Sequence, residues 1–474
     1  MAEIKKKFKL TFHPLSQMVL IVAGILALFS LVSIGFIDVQ YILLIDAAAI
    51  LVFLFMAFPN IGIYLMALLF PFWGLEFRWG EINVPYVDIV ALLMFAALLI
   101  RTSFYWINTR LGIKFDKEKF VYFRKFPGWG LFLVFFVAAI FSITQNDQMF
   151  AAFKYLLRPI LFFYLMYIVI PVNVIKEKTI FIRTLYLILI SGVVTTLLGL
   201  ASVFLNSGSW FDRRALPFSF LGINPLGGNH NAIAEILIVA LPLIFILFFL
   251  TKRIRHRGWY IIVALLIVLV LLLTFSRSGW LTLILEIVIL YLLQYRKKLN
   301  KYSIIALCLI IVFSLSLFYV VVWSQVSQVQ GSTSSRWLMT DVAWSYFVDK
   351  PMLGHGLNMF STMLGNTFVY WVEFGDPLDS HGFIQKILVE NGLLGLLAFL
   401  SFITFLFYYF YNAFKKCRTF ESRVVVGSLL VMFVGVVFFQ LFSTSYYIAK
   451  LWFPIGVGLA GLGLYQNKKL SSKN

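Results

Sequence analysis

Charge is what this chain has least of. Only 12% of its 474 residues are Asp, Glu, Lys or Arg, about half of the roughly 25% usual in soluble domains. Cysteine is nearly absent. Cys308 falls inside an apolar run and Cys417 in a basic stretch, which argues against a disulfide. The five histidines are scattered, and neither C-x-x-C nor H-E-x-x-H occurs, so a structural zinc site is not expected. No G-x-x-x-x-G-K-[S/T] is present, nor a G-x-G-x-x-G behind a strand pattern. ATP-driven transport and nucleotide-sugar chemistry on an inner domain are therefore disfavoured. No internal repeat is evident, which weakly disfavours inverted-repeat transporters. The alternating ten-residue segments of an outer-membrane barrel are also missing.

What fills the chain instead is apolar side chain, 62% of residues. Runs of about 20 apolar residues recur throughout. The reading is an all-α polytopic membrane protein of about 12–14 transmembrane helices with one large extracytoplasmic loop. Spans are predicted near 16–37, 39–57, 60–75, 86–101, 128–144, 149–170, 180–205, 230–251, 259–275, 278–295, 302–323, 391–414, 424–445 and 449–466. The segments 39–57 and 60–75 read equally well as one broken pair. The first span is too long for a signal-peptide core and lacks an A-x-A-like end, so it is kept as a helix.

The net charge of +19 raises nucleic acid as a partner, but its distribution points to topology. With both termini inside, the basic runs KKKFK, KRIRHR, YRKKLNK and KKCRTFESR fall on cytoplasmic segments, as does the aromatic and basic stretch 101–125. About 29 of the 39 Lys and Arg then lie inside, the positive-inside bias. These loops face anionic lipid rather than nucleic acid. The expected organisation is a transmembrane bundle over 1–323 with an outer loop at 206–229. An extracytoplasmic catalytic loop with short helices follows at 324–390. Transmembrane helices and a cytoplasmic tail complete the chain at 391–474.

Polar sequence gathers on the outer loops. In RWLMTDVAWSYFVDK (336–350), Trp337, Trp344 and Val348 form one stripe, as in an interfacial helix. Asp379 or Ser380 reads as the N-cap of a short helix beginning at His381. The helix macrodipole would then favour a neutral imidazole, the state a general base needs. The alternative is a surface histidine satisfied at a helix end. Gln385 lies one turn on and suits a sugar hydroxyl. Asn229 and Asn231, flanking His230 at a span start, suit hydroxyl-rich ligands or act as caps. His355 in GHG reads as a loop residue. Asp376 and Asp379 in DPLD make only a weak metal signal. Glu235 and Glu286, inside spans, read as counter-ions for arginine or as proton-relay groups.

Arginines sit where outer cations should be few. Arg158 is two turns into a span, Arg277 lies in the SRSG interruption between two apolar runs, Arg213 and Arg214 open the 206–229 loop, and Arg336 begins the loop helix. Ionised groups in such places face a partner or a cavity. Clustered guanidiniums suit an anionic ligand, because the planar fork donates two parallel hydrogen bonds to phosphate. The competing reading is that each one snorkels to headgroups or pairs with an outer carboxylate.

Four stretches taken in order resemble the bacterial O-antigen ligase and O-antigen polymerase family: RRALPFSFLGINPLGGNHNAIAEILIVALPL (213–243), TFSRSGWLTL (274–283), SRWLMTDVAWSYFVDKPMLGHGLNMF (335–360) and SHGFIQKILVENGLLGLLAFL (380–400). The resemblance covers residues 213–400 and does not separate ligase from polymerase. It implies a GT-C-like membrane glycosyltransferase, inverting, metal-independent and without cofactor. The implied donor is an undecaprenyl-diphosphate-linked glycan at the outer leaflet of the cytoplasmic membrane. The implied acceptor is a lipid- or glycan-linked sugar hydroxyl. By motif match, His381 takes the catalytic base position and Arg277 a diphosphate position. Arg213 or Arg214 matches the loop arginine, and Arg336 the one at the helix start. Arg158 falls at a plausible earlier arginine position. Gly382 stands where the family often has Asn.

Two other classes compete. A flippase for the same kind of lipid should carry charge through the bilayer centre. Here only Asp46, Glu235 and Glu286 lie mid-span, while the largest outer loop is long and carries a histidine. A sensor or assembly protein without catalysis is the third reading.

Overall fold

In the computed structural model the described residues are 24, 31, 39–79, 82–112, 121–146, 148–205, 213–219, 222–295, 326–375, 379–443 and 446–466. They form an all-α membrane protein. Among them, seven helices are long and apolar enough to cross a membrane. These are α1 (Val39–Ala57), α3 (Tyr86–Arg110), α7 (Lys178–Leu205), α8 (His230–Leu250), α9 (Ile254–Leu273), α14 (Phe383–Lys415) and α15 (Phe420–Phe439, prolonged by a 3-10 turn to Phe442). Four further helices fall on other predicted spans. They are α2 (Pro59–Leu69), α4 (Trp129–Ile143), α10 (Arg277–Tyr295) and α16 (Ala449–Gln466). Apart from residues 24 and 31, the predicted spans 16–37 and 302–323, and with the latter Cys308, lie outside the described residues.

The predicted span 149–170 is not one regular helix. α5 (Met149–Tyr155) passes into π-helical turns at Leu156–Leu161 and Phe163–Val169, then into α6 (Ile170–Val174). Pro159 and Pro171 each lack an N–H, and the wider turn accommodates the missing bonds. A hairpin that periodicity did not predict, β1 (Glu76–Trp79) with β2 (Ile82–Pro85), joins α2 to α3 in antiparallel register, Phe77 opposite Val84.

The bundle centres on α15, which packs against α8, α10, α14 and α16. Between such helices water supplies no driving force, so packing must hold them. Aromatic stacking does much of this. Phe163 lies on Trp452 with centroids 4.3 Å apart, and Phe132 on Tyr164 at 4.1 Å.

The segment after residue 323 contains α11 (Val326–Asp349), α12 (Phe360–Gly365) and α13 (Phe368–Phe374). α11 starts ten residues before Arg336, the expected beginning, because SQVQGSTSS carries no Pro to stop it. Its two faces diverge as the stripe predicts. Trp337, Trp344 and Val348 are exposed, while Met339, Val342 and Ala343 pack on Phe360, Leu364 and Tyr370.

α14 is broken at Gly392, whose φ of 64° and ψ of −165° interrupt the helical path. The segment after α11 fills the break. His355 and Gly356 donate their N–H groups to the carbonyls of Val389 and Glu390, at 2.8 and 3.0 Å, and Leu393 donates to the carbonyl of Pro351 at 2.8 Å. A Cβ on residue 392 would lie 2.4 Å from the Met352 carbonyl oxygen. The GHG and VENG motifs are thus two halves of one joint. Gly392→Ala should cost about 1–3 kcal/mol from backbone strain alone, with the steric clash in addition. A thermal unfolding midpoint in detergent equal to that of wild type would refute the joint.

Candidate functional site

His381 sits on a short link between the end of the loop and α14. The expected cap does not form there. α14 begins at Phe383, its N-cap is Gly382, and no side chain bonds to that end. Ser380 instead donates its hydroxyl to the Gly382 carbonyl at 2.9 Å. Asp379 is taken by stronger partners. Lys386 Nζ donates to both of its carboxylate oxygens at 2.7 Å, and the Tyr447 hydroxyl donates to Oδ2 at 3.1 Å. Lys386 is buried and also faces Glu390 at 3.8 Å. A buried ammonium with two carboxylates therefore pins the residues on either side of His381, and charge-assisted bonds of this kind are the stronger class.

The SRSG turn is built as a helix start. Ser276 Oγ accepts from the Gly279 N–H at 3.2 Å, an N-cap interaction, and α10 begins at Arg277. Phe275 adopts a φ of 54° to make the turn. Ser276 also donates to Asn231 Oδ1 at 2.7 Å, and Asn229 caps α8 by accepting from Asn231 N–H at 3.0 Å. Both asparagines therefore have structural roles. The 213–219 segment lies along the same turn. Ala215 N–H donates to the Leu273 carbonyl at 2.8 Å, and the Arg214 guanidinium lies 5.6 Å from the centre of the Phe275 ring.

These pieces meet around a cavity of about 300 Å³ lined by His381, Asn229, Asn231, Glu235 and Lys450, among others. Arg214, Arg277 and Arg336 all act electrostatically on His230 at its edge. Arg336 acts in turn on His381. Burial first, then this guanidinium, push the His381 pKa down to about 4, with Asp379 pulling the other way. The imidazole is thus neutral across the physiological range. The expected neutrality holds, but its cause is burial and positive charge rather than a helix end. Burial and the nearby Arg277 also lower the Arg336 pKa, and the buried Arg336 Nε has no hydrogen-bond partner among the described residues.

Not every expected residue arrives. Gln385 donates to Thr340 Oγ1 at 2.6 Å and so ties α14 to α11, the position of a brace rather than of a sugar ligand. Arg213 is half-buried one residue before Arg214. Arg158 lies in the first π-helical turn, and its side chain, like Asp376, is outside the described residues. His355 is buried, its Nε2 at 2.8 Å from the Tyr346 carbonyl, as a loop residue would be. Glu235 accepts from Gln440 at 2.6 Å and faces Lys450 at 3.9 Å, so the expected arginine counter-ion is a lysine. Glu286 is buried, and neither carboxyl oxygen has a hydrogen-bond partner among the described residues. No group of three His, Cys, Asp or Glu that could hold a metal occurs among them.

Sequence reading missed Lys386, Lys450 and Tyr447. Two of these carried a signal. Lys450 begins an apolar helix at the end that should be poor in cations, and Lys386 lies four residues before Glu390, one helical turn away.

Residues 262–400 match the family described as O-Antigen ligase. The match supports assigning the chain to the O-antigen ligase and polymerase family. It takes in Arg277, Arg336, His381 and Gln385, and it leaves Arg158, Arg213, Arg214, Asn229 and Asn231 outside. No curated protein matches the chain. The match together with seven apolar helices supports a multi-pass membrane protein with a glycan-transfer function in general.

The lysine–carboxylate cluster generates a stability prediction. Lys386→Met strands Asp379 and Glu390, and breaking a buried pair costs about 3–5 kcal/mol. The thermal midpoint should fall accordingly, and Asp379→Asn combined with Lys386→Met should recover part of the loss. A single variant as stable as wild type would rule the pair out as the anchor of the His381 link.

Proposed function

We propose that the protein transfers a glycan from undecaprenyl diphosphate to a sugar hydroxyl at the outer face of the cytoplasmic membrane. Both termini face the cytoplasm in this reading, and the His381 end of the bundle faces outward. The observation that carries the proposal is a neutral imidazole lining a cavity, with arginines near enough to act on it and on the neighbouring His230. The imidazole is that of His381, and Arg336 acts on it while standing in the field of Arg277.

Arg277 is the first residue of its helix, where the macrodipole disfavours a cation. A guanidinium at a helix start is well matched to an anion. Clustered arginines are costly without a ligand and favourable with a diphosphate among them.

The chemistry is a single displacement. The acceptor oxygen attacks the anomeric carbon as the bond from that carbon to the diphosphate oxygen breaks. The bonding pair leaves with undecaprenyl diphosphate, and Arg277, Arg336 and Arg214 offset the charge that grows there. Preorganised donors of this kind supply much of the barrier reduction where water is excluded. The hydroxyl proton passes to His381, a general-base contribution of about 10²–10⁴-fold. Attack opposite the leaving group inverts the anomeric centre.

Two outcomes follow. With purified protein in lipid nanodiscs, lipid-diphosphate glycan and a sugar acceptor, His381→Ala should lower turnover by at least about a hundredfold while donor binding persists. Wild-type turnover would remove His381 from the reaction. The pH dependence is the second outcome. His381 must be neutral to accept the proton, so activity falls as pH drops through its pKa. Without donor that pKa is about 4. Bound diphosphate offsets Arg336 and raises it towards the ordinary value near 6.5. The acid limb of kcat, which reports the complex, should therefore lie at higher pH than that of kcat/KM, which reports the free protein. Coincident limbs would show that donor charge does not reach the base.

A further inference from the structure

A second cavity adjoins the first and does not include His381. It encloses about 470 Å³, within the roughly 300–1,000 Å³ of small-molecule sites. Trp73, Tyr447 and Ile448 line both cavities and form their common wall. Beyond that wall the lining holds Glu76 and Asn83 from the hairpin, Asp88 from the first turn of α3, and Asn358. The first cavity holds a comparable set in Asn229, Asn231, Glu235 and Asp379, but His381 lines it and Arg336 acts on that imidazole. This one presents two carboxylates and two amides around a tryptophan, with Lys154 as the single basic residue among its lining residues.

We infer that this second cavity is the acceptor subsite and that it takes an uncharged pyranose ring. The inference rests on the transferase reading above and deepens it. Carboxylates and primary amides are the side chains best able to bond adjacent hydroxyls, because a carboxylate accepts from two at once and an amide both donates and accepts. The face of an indole offers a flat apolar surface to the C–H side of a sugar ring. An anionic sugar is excluded, because its charge would meet Glu76 and Asp88.

The polar groups are oriented before any ligand arrives. Arg78 Nε donates to Glu76 Oε1 at 2.9 Å, and the Tyr167 hydroxyl donates to Asp88. Asn358 holds a φ of 64° beside Leu357, whose carbonyl accepts from Asn146 Nδ2 at 2.8 Å. Trp73 is fixed through its neighbour. Gly74 donates its N–H to the Pro225 carbonyl at 2.9 Å, and a Cβ there would lie 1.8 Å from the Asn224 carbonyl oxygen, so the loop leading to Asn229 presses directly on the turn carrying the indole. Groups held in this way lose little freedom on binding. A ring in this cavity directs one hydroxyl past Trp73 and Tyr447 towards His381. The proton of that hydroxyl goes to the imidazole, and its oxygen forms the new glycosidic bond.

The test uses Asn83→Ala and Asp88→Asn, which line this cavity and not the first, and Glu76→Gln on the half-exposed hairpin. Full-length wild type and variants in lipid nanodiscs are compared by saturation-transfer NMR with two uncharged tetrasaccharides, one of hexoses and one of N-acetylhexosamines. A tetragalacturonate serves as the anionic control. Each variant should weaken binding of an uncharged probe about tenfold, the loss of one hydrogen bond, and should raise the KM for acceptor without raising that for donor. Equal binding by wild type and all three variants overturns the inference, as does wild-type preference for the tetragalacturonate or failure to bind either uncharged probe. Loss of sugar binding in the variants, with no transfer by wild type from any lipid-diphosphate donor, would leave the sugar site standing and remove the transferase reading.

Discussion

The interaction on which the upper structure depends is the backbone joint at Gly392. An unbroken helix from 383 to 415 would pair its backbone groups near 389–393 internally and offer them to nothing in the loop. The break exposes the carbonyls of Val389 and Glu390 and the N–H of Leu393. In apolar surroundings such groups must find partners, and the segment 351–356 supplies them. Part of the loop is thereby built into the bundle. Its helix α11, which carries Arg336, gains a second hold through Thr340 and Gln385. The glycine is needed for the left-handed φ and equally for the space its missing Cβ leaves to Met352.

Electrostatics then acts on this frame. Lys386, Asp379, Glu390 and Tyr447 form a cluster whose charges nearly compensate, and it serves position. A short distance away, Arg214, Arg277 and Arg336 are gathered with charges of one sign, and they raise the cost of any further positive charge, including that of a protonated histidine. The first arrangement stabilises the empty protein. The second is costly in the empty protein and becomes favourable when an anion enters.

Much of this was legible in the sequence. Long apolar runs give helices almost without ambiguity, and the run at 180–205 returns as Lys178–Leu205. SRSG, with a capping serine before an out-of-place arginine, announced a turn between two helices. The exposed stripe Trp337, Trp344 and Val348 returned on one face of its helix. Interactions distant along the chain were not legible. Asp379 looked like a cap because its nearest free donors were local, and Lys386 and Tyr447 outbid them only once the fold had brought them together. Gln385 looked available because Thr340, 45 positions earlier, gives no sign of its proximity. The hairpin was missed because its two four-residue strands are too short to establish a period, and the π-helical stretch because only its prolines break an otherwise ordinary apolar run.

Tyr447 and Lys450 follow α15 along the chain, yet one holds Asp379 and the other lines the cavity with His381. Insertion of the helices up to α15 and completion of this chamber are therefore separate events in time. A nascent chain, or one shortened before position 446, carries Arg214, Arg277, Arg336 and His381 but no brace for the imidazole link.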